Sequence, residues 1–226
     1  MIKHQSDSPH SQHNASLMNP RLILASSSVY RRELLSRLQI PFDSLVPDID
    51  ETAQNGETPD ATALRLAQQK AEAIAGQLAS SSASPAANSA ENALIIGSDQ
   101  VATMNGIHIG KPGDHASALK QLQLMRGKEV VFHTALCLLD TRPGAQPAVQ
   151  LRDVQTIVRF RDLPDAELDA YLRIEQPYDC AGSAKNEALG ISILASIKSD
   201  DPTALTGLPL IALTDMLRNA GVQFYR

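Results

Sequence analysis

Two short stretches of this chain, 21–26 and 93–96, are apolar at nearly every position. A strand that alternates polar and apolar residues needs cover on one face; a strand apolar throughout needs cover on both. Each stretch runs directly into small polar residues: Ser26, Ser27 and Ser28 after the first, Gly97-Ser98-Asp99-Gln100 after the second. That is the layout of an α/β sheet, where ligand-binding groups collect beyond the carboxyl ends of buried strands. The expectation is a mixed α/β (α+β) fold: a mixed twisted sheet with flanking helices, forming two lobes around a deep cleft. In this reading the second strand is 93–96, and Asp99 lies just past its end.

The remaining pattern fits that class. Residues 29–40 read as a helix with Leu34, Leu35 and Leu38 on one face, stopped by Pro41. A second strand is expected over 42–46. Thr58-Pro59-Asp60 opens a longer helix, with a capping hydroxyl, Pro at the first position and an acid in the first turn. Ala61, Leu64, Ala67, Ala71, Ile74 and Leu78 then recur at helical spacing, with Lys70 near the middle. Asn105-Gly106 marks a hairpin between 101–104 and 107–109. A helix follows over 114–126, then a long antiparallel pair over 130–139 and 148–160, and a helix over 164–174. Residues 177–190 show no clean period. A strand over 191–197 and a helix over 208–219 complete the chain. Residues 20–226 are expected to form a single domain. Residues 80–92 read as a low-complexity surface loop, and 1–19 as a disordered tail. The tail's His4, His10 and His13 are read as part of that tail, not as a metal site.

Composition removes several function classes. The net charge of the 226 residues is −5, which argues against a sequence-independent nucleic-acid binder. No apolar run reaches membrane-spanning length, and the first residues lack the apolar core of a signal peptide. Cys137 and Cys180 lie far apart, which fits a reducing compartment without a disulfide framework. A cytoplasmic protein without nucleic-acid or membrane partners is expected, with a homodimer among the arrangements left open.

The polar groups at element ends form an inventory suited to a polyphosphate. Ser26 to Ser28 let the backbone approach an anion, and the helix after them directs free N–H groups at it. Arg31 and Arg32 sit in the first helical turn, where a positive charge opposes the helix dipole unless an anion is bound. Lys111 is held on the turn Gly110-Lys111-Pro112, and Lys70 joins this set from its helix. Asp48, Asp50 and Glu51 crowd one loop, as a solvated turn or beside a cation. Glu51 and Asp99 could hold a divalent cation, Mg or Mn by their preference for hard oxygen donors, or one acid could activate a water. The chain has no GxxxxGK[ST] loop and no GxGxxG fingerprint, and no GxSxG elbow surrounds Ser26. Cys180 beside Lys185 reads as a small buried thiol before it reads as a nucleophile. His108, His115 and His133 lack ligand spacing for zinc.

Several separated motifs resemble the Maf family of nucleotide pyrophosphatases: LILASSSVYRRELL, VPDIDE, LAQQKA, IIGSDQV, GKP, CAGSAKNEALGISI and DPTALTGLPLIAL, in that order from about 20 to about 221. The resemblance implies a two-lobed mixed α/β fold and a metal-dependent cut between the α- and β-phosphates of a nucleoside triphosphate. It implies Asp99 as general base or holder of a metal-bound water, and Glu51 as a further metal ligand. Ser26, Arg31, Arg32, Lys70 and Lys111 would cradle the triphosphate. Three positions resemble the branch associated with 7-methyl-GTP: Tyr30, where the dTTP- and UTP-cleaving branch shows a basic residue; Gln100, where it shows Thr; and Glu187, where it shows Gln. Some relatives carry Trp where this chain has Tyr30. N7-methylation gives guanine a positive charge, which stacks on an aromatic ring for about 1–2 kcal/mol when desolvated. A carboxylate such as Glu187 would accept from the guanine N1–H and amine and answer that charge. A dTTP, UTP or broad nucleotide pyrophosphatase, and a non-catalytic nucleotide-binding regulator of cell division, are the other readings.

Overall fold

The computed structural model describes residues 20–81 and 92–225. Among these, seven strands form one mixed sheet: β1 (Arg21–Ala25), β2 (Phe42–Leu45), β3 (Ala93–Met104), β4 (Ile107–Ile109), β5 (Glu129–Asp140), β6 (Val149–Phe160) and β7 (Leu194–Ser199). Their order is β2-β1-β3-β5-β6-β7, with β4 also on β3. β1 lies parallel to β2 and to β3, and the other pairings are antiparallel. The helices are α1 (Val29–Ser36), α2 (Pro59–Ser81), α3 (His115–Met125), α4 (Asp165–Glu175) and α5 (Leu210–Asn219). None of the described helices is long and apolar enough to cross a membrane.

The apolar runs at β1 and the start of β3 are buried on both faces, as their composition demands. Leu22, Leu24, Leu94 and Ile96 pack with Leu34 and Leu35 of α1 and Leu213 and Leu217 of α5. Ile23, Ala25 and Ile95 pack on the opposite face with Ala63, Ala67, Ala71 and Ile74 of α2. A third cluster joins Ala102, Met104, Phe132, Val158 and Phe160 to α3 and α4. By strand alternation this cluster shares a face with the α1/α5 cluster but sits at the far end of β3. The space between them is the cleft separating the two lobes.

Small residues set how closely α2 can approach. A Cβ on Gly97 would lie 2.0 Å from the Ala67 carbonyl oxygen. The helix therefore crosses β3 at the one residue that has no side chain. That crossing brings Lys70, about one turn on from Ala67, against Asp99, two residues on from Gly97.

Several expected boundaries shift. β3 does not end at Ile96 but runs to Met104, so Asp99 lies inside a strand, not beyond one. The strand that ends here is β1, whose last partner on β3 is Gly97. β4 takes up the same edge only at Ala102. Residues 98–101 thus have β5 on one side and no strand on the other, which lets polar residues occupy a central strand. α1 stops at Ser36, not at residue 40, because Gln39 adopts φ 55° to turn the chain toward β2. Leu189–Ile193 forms a 3₁₀ turn, so β7 begins at Leu194, later than the expected 191. α5 begins at Leu210 because Pro209 is extended (φ −70°, ψ 99°). The hairpin at Asn105-Gly106 is present, with φ 52° and 78° as its turn type needs. Residues 1–19, with their histidines, and 82–91 of the expected surface loop lie outside the described residues, while residues 80 and 81 end α2.

Two glycines predict opposite outcomes. Gly97→Ala overpacks against helix backbone that cannot swing aside, and should cost about 3 kcal/mol or more. Gly76→Ala, within α2 and with nothing within 4 Å of a new Cβ, should gain about 0.4–1 kcal/mol. Urea midpoints of the two variants check both.

Candidate active site

The turn from β1 into α1 holds its own shape. Ser28 Oγ accepts from the Arg31 N–H at 3.3 Å and caps α1. Ser26 Oγ accepts from the Ser28 N–H at 3.1 Å, and Ser44 Oγ donates to the Ser26 carbonyl at 3.0 Å. A hydroxyl that accepts keeps its own hydrogen to donate, so Ser26 and Ser28 can each still serve an anion. Ser26, Ser27 and Ser28 line a cavity of about 840 Å³, within the size range of small-molecule sites.

At this end of the cavity the structure brings Glu51, Lys70, Asp99, Arg31 and Lys111 together. Lys70 Nζ donates to Asp99 Oδ1 at 2.6 Å and to Glu51 Oε1 at 2.7 Å. Lys70 and Asp99 are 6% and 7% exposed, whereas Glu51 reaches in from the loop after β2 with its side chain half-exposed. Desolvation pushes the Glu51 carboxyl up, but the Lys70 hydrogen bond and the charges of Lys70, Lys111 and Arg31 hold it below the ordinary range. Arg31 Nε donates to the Gly207 carbonyl at 2.8 Å. Desolvation lowers the Arg31 pKa, against the opposing charges of Asp99 and Glu51. Arg32 is the exception: it is exposed and absent from the cavity wall. One residue on from Arg31, it is turned about 100° around a helix of which one side faces the cleft.

The other end carries Tyr30, Asp179, Cys180, Asn186 and Glu187 over an apolar floor of Phe132, Val158, Phe160 and Leu194. Burial raises the Tyr30 hydroxyl; Glu187, Cys180 and Asp179 push it further and Lys185 opposes them. Burial likewise raises the Glu187 carboxyl, helped by Glu175 and Glu33 and opposed by its own backbone N–H and by Lys185. Cys180 is pushed up to about 12, chiefly by burial, which disfavours the reactive thiolate. His133, without ligand spacing in sequence, bonds Asp153 at 2.7 Å.

Gln100 also lines the cavity, but its Nε2 is already engaged. Nε2 lies 3.0 Å from Thr134 Oγ1, 3.2 Å from the Ala204 carbonyl and 3.0 Å from the Leu205 carbonyl. It braces the 201–207 loop from the sheet. Consecutive strand residues point to opposite faces, so Asp99 faces α2 and Gln100 faces this loop. Ser98 belongs to the same brace, donating to the Gly207 carbonyl at 2.8 Å, the oxygen that also holds Arg31. The loop is fixed at its far end by buried Asp201. Its Oδ2 accepts from the Ile211 and Ala212 N–H groups at the start of α5, and its Oδ1 from Thr203. Ser98, Thr134 and Asp201 were not singled out from sequence; the Asp-Pro-Thr triplet was the only local signal.

One cleft in a mixed α/β protein is thus lined by an aromatic–carboxylate set and a cationic–carboxylate set. Residues 21–220 match the family described as Maf-like protein, and the chain belongs to the Maf family. Among curated relatives, the 7-methyl-GTP pyrophosphatase of Paraburkholderia xenovorans is 64% identical over 202 residues, covering 89% of this chain and 93% of that protein. The protein of the same name from Cupriavidus metallidurans is 63% identical over 202 residues, covering 89% and 94%. That from Burkholderia thailandensis is 61% identical over 214 residues, covering 95% and 94%.

The bracing role of Gln100 makes a distinct prediction. Gln100→Glu sets a carboxylate against three oxygen acceptors and should destabilise the fold by about 1–3 kcal/mol. A contact made only to the base predicts no change, and the denaturation midpoint of the free protein separates the two.

Proposed function

We propose that this protein hydrolyses 7-methyl-GTP to 7-methyl-GMP and pyrophosphate, removing a modified nucleotide before it enters RNA. The observation that carries the reading is the placement of Tyr30 and Glu187 at one end of the cavity that holds the Glu51–Lys70–Asp99 cluster at the other. The shared name of the curated relatives supports it. The free cysteines and the nucleotide substrate suit the cytoplasm.

In this reading the cationic base stacks on the Tyr30 ring and its N1–H and amine donate to Glu187. Glu187 is harder to ionise than an ordinary Glu, and a positive ring beside it opposes that shift. The triphosphate runs past the Ser26 and Ser28 hydroxyls to Arg31, Lys70 and Lys111. Water attacks the α-phosphorus, Asp99 takes its proton, the bond to the bridging oxygen breaks, and pyrophosphate leaves.

The donor set fits a hard divalent ion. Glu51 and Asp99 approach closely enough to share one cation, the Lys70 ammonium. Among the described residues no three of His, Cys, Asp and Glu gather into a metal set, so phosphate and water oxygens would complete the coordination of Mg or Mn. When bound, such an ion neutralises charge building on the phosphate oxygens.

Pyrophosphate release from 7-methyl-GTP, GTP, dTTP and UTP, with Mg or Mn, tests the assignment. The methylated nucleotide should lead; faster dTTP or UTP cleavage, or binding without turnover, would replace it. Asp99→Asn should lower kcat by about 10²–10⁴-fold with the fold intact, and an unchanged rate removes Asp99 from the mechanism. Glu187→Gln with Tyr30→Arg should erode the preference for the methylated base over GTP. Because the folded Glu187 pKa is raised, the carboxylate forms at higher pH than that of an ordinary Glu. The wild-type preference should therefore grow with pH through the weakly acidic range and flatten in Glu187→Gln.

A further inference from the structure

The two carboxylates suited to a metal are already occupied in the protein itself. Lys70 Nζ bonds Asp99 and Glu51 together, with Lys70 6% exposed. An ammonium there takes up carboxylate lone pairs that a divalent ion would use. Arg31 and Lys111 also act on Glu51, and Arg31 acts on Asp99. Three cations therefore face two carboxylates, in a partly buried site where salt screens weakly. A field of that sign repels a bare divalent cation and draws in a polyanion.

A triphosphate changes both terms. Its oxygens offer Lys70, Arg31 and Lys111 new partners. They also bring ligands to an ion that keeps few protein carboxylates and favours phosphate and water. We propose that Lys70 is the resident cation of the free site, and that the divalent metal is taken up only together with the triphosphate. The inference rests on the proposed reaction only for the identity of that polyanion. The Lys70 ammonium then turns from the carboxylates to a phosphate oxygen as the metal arrives.

Mn²⁺ titrated calorimetrically into the full chain without nucleotide tests this. Wild type should bind weakly and Lys70→Met about tenfold or more tightly. The gain should vanish in Lys70→Met combined with Glu51→Gln. Inorganic tripolyphosphate added with Mn²⁺ should carry the ion onto wild type, read as water-proton relaxation enhancement above that of the Mn–tripolyphosphate complex alone. Removing one partner of a buried ionic cluster can unfold a protein; Lys70→Gln, which still donates a hydrogen bond, then stands in and should show the same direction of gain. Wild type binding Mn²⁺ as tightly as a folded Lys70 variant overturns the proposal, as does a gain that survives Glu51→Gln. No arm uses a methylated base or reads turnover, so this result and the substrate assignment can fail separately.

Discussion

β1 stops at Ala25 while its neighbour β3 continues to Met104, and the site depends on that inequality. A polar run such as residues 98–100 suits a central strand poorly when neighbouring strands flank it on both sides and cover its faces. Ending β1 early opens one edge of β3 over 98–101 while β5 holds the other. The acid is thereby fixed by a rigid sheet yet reachable from a cleft. Burial is offset by the Lys70 ammonium, which is placed by the contact of α2 with Gly97.

The two ends of the cleft solve different electrostatic problems. At the phosphate end, cations outnumber acids, which suits a polyanion. At the end proposed for the base, desolvation by the cavity wall raises the pKa of Glu187, although its side chain stays exposed, and the ring of Tyr30 offers a negative face. A neutral base gives that carboxyl little reason to ionise, and a cationic base gives it a strong one. Discrimination then arises from the cost of an unanswered charge as much as from contact.

The order of strands and helices was legible in the sequence because two-sided apolar runs, caps and the Asn-Gly turn act locally. Ser26, Arg31, Glu51, Lys70, Asp99 and Lys111 were legible as a chemical inventory and do converge. Their geometry was not, because it depends on long-range contacts. Lys70 and Asp99 are 29 residues apart, and only the close approach at Gly97 joins them. The extent of β3 was misjudged because its polar middle looks like the end of a strand when the missing neighbour cannot be seen. Gln100 looked free to read a base because two of its three acceptors lie more than a hundred residues downstream. Arg32 looked equivalent to Arg31, and a rotation of one residue around α1 separates them.

The alternation that sends Asp99 to one face of β3 and its neighbour Gln100 to the other has a consequence for how such a protein can diverge. In the proposed function, a nucleotide spanning the cleft crosses the open edge of the sheet, its reacting phosphates and its base answered by surfaces on opposite faces. Substitutions at a base-end position off β3, such as Glu187, leave the Lys70–Asp99 pair in place. A lineage with this scaffold can exchange one nucleobase for another while inheriting its chemistry unchanged.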